Sequence, residues 1–153
     1  MIRGRGASLV EILVVIGILA LISVLTYETY VTVNANKALD TDAQKIVAEL
    51  AQARSLSVGS RDGSRWGVHL ASTSVTLFEG SAFTVGASGN VITSLNSVVQ
   101  IDRVNILGGG TDIVFQRLTG ATSATGTMKL IYTASSTVSR TITIYGTGIS
   151  DAQ

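Results

Sequence analysis

From Ile12 to Tyr27 the chain carries no charge for sixteen residues, and this stretch is bounded by Glu11 and Glu28. Arg3 and Arg5, each followed by a glycine, precede it. Three arrangements accommodate such a run. A secretory signal peptide would use Arg3 and Arg5 as its basic end and residues 12–25 as its apolar part, with a small-x-small site at Val33-Asn34-Ala35. Glu11 then lies at the wrong end of the apolar part, and Tyr27, Glu28 and Tyr30 intervene before the site. A plain membrane anchor needs about 20 apolar residues, a length that residues 7–27 reach only by including Glu11. A carboxylate at full depth costs roughly 2.5–3.5 kcal/mol, and less near the end of a span. An anchor therefore tolerates Glu11 without giving it a purpose.

The third arrangement supplies one. If the chain is cut between Gly6 and Ala7, the new first residues are Ala-Ser-Leu-Val-Glu, and Glu11 becomes the fifth. The new amine heads a helix, where a nearby acid is favourable. The acid can also pair with the amine of a neighbouring copy when apolar helices pack side by side, which offsets its desolvation and sets an axial register. The residues "RG" followed by "ASLVEILVVIGILALIS" resemble the class III leader of type IV pilins and type II secretion pseudopilins. Gly6, Ala7 and Glu11 occupy the three key positions of that leader. Ala7 stands where the family usually has phenylalanine, and Ser8-Leu9 where Thr-Leu is common. The resemblance implies cleavage by prepilin peptidase and methylation of the new N-terminus. It also implies assembly with other pilin or pseudopilin subunits on an inner-membrane platform. Arg3 and Arg5 hold the leader on the cytoplasmic side. This makes the chain a single-pass protein of the cytoplasmic membrane, in contact with lipid, whose domain faces outward and enters a pilus or pseudopilus on assembly.

Beyond the apolar run, "NKALDTDAQKIVAELAQARSLSV" places Leu39, Ala43, Ile46, Val47, Leu50 and Ala53 on one face of an amphipathic helix. Asp42 and Lys45 are expected as an i,i+3 pair on the opposite side. No proline occurs in the chain, so one helix is expected from Ala7 to about Val58, with Gly59 as its stop. Gly17 allows close approach of a second helix, or is incidental. After Gly59, period-two patterns mark strands at Trp66/Val68/Leu70, Val75/Leu77, Ile113/Phe115, Met128/Leu130/Tyr132 and Ile142/Ile144. Val99/Ile101 and Val104/Ile106 suggest a strand with a bulge between the two pairs. The expected fold is α+β: a long N-terminal helix packed on one antiparallel sheet with a single buried face. The expected divisions are leader 1–6, membrane or filament-core helix 7–30, amphipathic helix 31–58 and β-rich domain 59–153. "DIVFQRLTG", "TMKLIYTAS" and "RTITIYGTGIS" are similar to the end of the GspH/FimT family of minor pseudopilins, and "DAQKIVAELAQARSLSV" with "RWGVHL" to its helix and first strand. The proline usual between Phe115 and Gly120 is missing.

The domain offers little to catalysis. With no cysteine and a single histidine, His69, it lacks the usual donors of a zinc cluster, and His69 is expected to point outward from its strand. Gly108-Gly109-Gly110 is followed by Thr111-Asp112 and a strand rather than by Lys-Ser and a helix, so it reads as a turn, not a phosphate loop. No Gly-x-Ser-x-Gly elbow and no calcium loop occurs, and Asp102 and Asp112 read as separate solvated loop acids. No enzymatic activity, metal or cofactor is expected. Net charge is +1, and the arginines, Arg54, Arg61, Arg65, Arg103, Arg117 and Arg140, are scattered. They keep a low-charge domain soluble or, as an alternative, fold into a patch for DNA phosphate, with Arg103, Arg117 and Arg140 as the contacts.

Overall fold

The computed structural model describes residues 8–153, the side chains of 24–31 excepted. The expected leader 1–6 and the expected cleavage residues Gly6 and Ala7 thus lie outside the described residues, as does part of the expected span 7–30. The chain divides into two units, Met1–Asn34 and Ala35–Gln153. A single α-helix, α1, runs Leu9–Val58. Its only glycine is Gly17, and with no proline to remove a donor nothing in the sequence interrupts the hydrogen-bond ladder. Gly59 follows the last helical residue as expected. The left-handed residue that turns the chain away is nonetheless Ser60, at φ 49°, and the Gly59 N–H closes the last turn on the Ser55 carbonyl at 2.9 Å.

In the second unit, α1 buries Ala35, Leu39, Ala43, Ile46, Leu50 and Ala53. This is the apolar face read from the sequence, with Val47 packed at its margin. Asp42 corrects one expectation. It does pair with Lys45, at 2.8 Å, yet it is fully buried on the apolar face. Its second carboxylate oxygen accepts the Asn96 backbone N–H at 2.7 Å. A buried acid persists only with its lone pairs satisfied, and here a lysine and a loop amide do so.

Among the described residues the strands are β1 Trp66–Leu70, β2 Ser74–Glu79, β3 Val91–Ser94, β4 Val99–Ile106, β5 Asp112–Phe115, β6 Gly126–Tyr132, β7 Ser135–Ile144 and β8 Ser150–Ala152. They form two antiparallel sheets rather than the one expected, ordered β3-β2-β1-β5 and β4-β6-β7-β8. The chain leaves the first sheet at β4, returns to it for β5 beside β1, then completes the second. The sheets are stitched where the Ile101 N–H of β4 donates to the Ser72 carbonyl in the β1–β2 turn at 2.8 Å. The inward residues of both sheets share one core with the helix face: Val68, Leu77, Ile113 and Phe115 from the first, Val99, Met128, Leu130 and Ile142 from the second. The expected bulge is present. Pairing with β6 shifts between Ile101 and Arg103, leaving Asp102 as the extra residue. Ser57, buried in the last turn of α1, accepts the Trp66 N–H at 2.9 Å and thereby ties the helix end to β1.

The outer face of the first sheet has a smaller core. Phe78 is only 1% exposed and sits opposite Gly67. A Cβ on Gly67 would lie 2.6 Å from the Phe78 ring and 2.9 Å from the Ile113 carbonyl oxygen, so glycine alone leaves room for that ring.

Candidate assembly interface

Among its described residues the first unit has no core. Every described side chain from Ser8 to Ser23 is exposed, and the apolar ones occupy all sides of the helix rather than a stripe. A helix that is apolar all round is stable only when something else surrounds it. Ser23, the polar residue in this stretch's last turn, donates its hydroxyl to the Leu19 carbonyl at 2.8 Å and so makes no demand on its surroundings. A Cβ on Gly17 would meet nothing within 4 Å; nothing else in the described chain requires that glycine. Glu11 lies in the first turn of α1, where an acid complements the partial positive charge of the helix terminus. It is exposed and forms no ion pair with another described residue. Among the described residues, no helix is long and apolar enough to cross a membrane.

The arginines named for DNA lie on three different elements. Arg140, on β7, donates Nε to Asp40 at 2.6 Å and Nη2 to Asn36 at 3.2 Å, binding α1 to the second sheet. Arg117, just past β5, donates to the Gly63 carbonyl at 2.8 Å. Arg103 is exposed on β4, and its cross-strand partner is Lys129.

His69 does not simply point into solvent. Its Nδ1 lies 2.6 Å from the Asp112 carboxylate, and its ring stacks on Phe83 with centroids 4.0 Å apart. Asp112 also accepts the Phe83 backbone N–H at 3.3 Å. The acid expected as a solvated loop residue therefore starts β5 and clamps the β2–β3 loop. Phe83 in turn meets Phe78 edge-on at 5.7 Å. Asp102, expected like Asp112 as a solvated acid, is the exposed bulged residue of β4 in the other sheet. Gly108, Gly109 and Gly110 all have positive φ and form the turn expected of them. Among the described residues, no group of three or more metal-binding side chains occurs.

No family profile and no curated protein matches this chain. Two crystal structures of the type IV minor pilin FimU of Pseudomonas aeruginosa, in different crystal forms, do resemble it. At 13% identity, 75% of this chain overlays 92% of one FimU chain with a TM-score of 0.57. The other FimU structure has the same identity and the same coverage of this chain, with 87% of the FimU chain and a TM-score of 0.55. The fold is that of a type IV minor pilin. With an α+β pilin-like fold established, the long helix and the antiparallel sheets have a counterpart in a known pilus subunit. The GspH/FimT resemblance read from the sequence is consistent with it.

Proposed function

We propose that the chain is a structural minor pilin or pseudopilin of a type IV pilus or type II secretion machine. Prepilin peptidase cuts it between Gly6 and Ala7 and methylates Ala7. The apolar start of α1 holds it in the cytoplasmic membrane with its domain outward. An inner-membrane platform then moves it into a filament, where the same helix packs among other subunits.

The observation that carries this reading is the helix from Leu9 to Ser23, apolar on every side, exposed, and bearing one acid in its first turn, ahead of a domain with the minor-pilin fold. Lipid and neighbouring helices are the surroundings that suit such a surface. Glu11 then pairs with the amine of an adjacent subunit and fixes the stagger between them. Its role here is positional, and the chain performs no catalysis.

Glu11→Ala tests the assignment. The variant is expected to insert into membranes as wild type does and to be absent from filaments, measured by membrane fractionation and by the subunit content of sheared pili. Normal incorporation of Glu11→Ala would remove the register role.

A further inference from the structure

One end of the second unit, where α1 terminates, combines basic and apolar side chains that the assembly reading does not use. Four segments meet there. The Leu118 N–H donates to the Ser57 carbonyl at 3.0 Å, and Arg117 reaches the Gly63 carbonyl at 2.8 Å. Arg54 Nε donates to the Thr147 carbonyl at 3.1 Å. A Cβ on Gly120 would strike Val58 and Arg54, and one on Gly148 would strike the Gly120 carbonyl.

These segments carry Arg54, Arg61, Arg65 and Arg117 and one acid, Asp62, whose carboxylate lies 3.6 Å from Arg61 Nε with both side chains exposed. Arg54 and Arg117 each spend one nitrogen on a backbone carbonyl. Their guanidinium forks are thereby held in place with other N–H groups still free, as suits phosphate recognition. The same segments carry Val58, Leu118, Tyr145 and Ile149, all exposed, Leu118 at 66%. Leu118 has φ 66°, a left-handed conformation costly for a leucine. Around it, Gly120 N–H bonds the Gln116 carbonyl and Gln116 N–H the Ala121 carbonyl. The loop is thus fastened in the shape that turns an aliphatic side chain outward.

We propose that this end docks on a lipid surface bearing anionic phosphate headgroups. The arginines bind phosphates, Leu118, Val58 and Ile149 enter the headgroup–acyl boundary, and Tyr145 sits at the interface. Duplex DNA would use the arginines but has no place for three aliphatic side chains. A fluid array of phosphates also needs no fixed acid opposite each arginine.

The test uses the full chain held by its N-terminal helix in phosphatidylcholine vesicles, which rests on the anchoring proposed above. The chain has no cysteine, so Thr119→Cys takes a single polarity-sensitive dye beside Leu118. Added phosphatidylglycerol vesicles are expected to shift the dye emission to the blue in a saturable, salt-sensitive titration; phosphatidylcholine vesicles are not. Arg61→Gln and Arg65→Gln should each weaken the titration roughly fivefold. Leu118→Gly should abolish the shift while melting no lower than wild type, because glycine relieves the left-handed φ. The same shift with phosphatidylcholine, no shift with either lipid, or equal binding by Leu118→Gly would overturn the proposal. So would a DNA duplex that binds as tightly as the vesicles. A protein that fails to float with its own vesicles refutes the anchoring instead.

Discussion

The two halves of α1 solve the same problem in opposite ways. From Ala35 to Ala53 the apolar residues fall three and four apart, and the chain's own sheets cover them. From Leu9 to Ser23 they fall everywhere, and the described chain covers none of them. A stripe can be buried by one layer of β-structure, whereas a cylinder needs neighbours on all sides. The pattern alone therefore separates the part of the helix that stabilises a domain from the part that the described chain leaves uncovered.

That contrast can be broken by mutation. Leu50 is fully buried, and Leu50→Ala is expected to cost about 2–5 kcal/mol of stability, read by denaturant unfolding in detergent. Leu19→Ala, the same change in the first unit, should alter the stability of the second unit by less than about 0.5 kcal/mol. Equal losses at the two positions would abolish the distinction. Asp42→Ala comes next, at about 1–3 kcal/mol, because it removes the buried carboxylate that accepts the Asn96 N–H and pairs with the Lys45 ammonium. A neutral outcome would mean that the carboxylate on the covered face adds nothing to the attachment of the helix. The smallest effect belongs to Arg140→Ala. Its ion pair with Asp40 is partly exposed, so the loss should stay under about 1 kcal/mol and shrink further in high salt.

These residues also show what a linear reading can and cannot see. The helix face and the bulge at Asp102 were legible because they are local periods, interrupted where the pattern slips. Asp42 sits three residues after Leu39 and four before Ile46, so its position already lay on the covered face; its charge led the expectation to the other side. β3 escaped notice because Val91 and Ile92 are both exposed and show no alternation, and β8 because three residues make no period. The split into two sheets depends on β5 returning beside β1, a pairing across more than forty residues that no local signal announces. The His69–Asp112 contact, 43 residues apart in sequence, was hidden for the same reason. At the N-terminus the balance reverses. Gly6, Ala7 and Glu11 are expectations drawn from their offsets from the apolar run alone, and Gly6 and Ala7 lie outside the described residues.

The central claim is that the apolar half of α1 works as an assembly helix headed by a freshly made amine. Mass spectrometry of the protein recovered from cell membranes tests it most directly. The expected mass is that of a chain beginning at Ala7 and one methyl group heavier than its sequence. A chain that still carries Met1 to Gly6 would contradict it, because Glu11 would then have no neighbouring amine to meet.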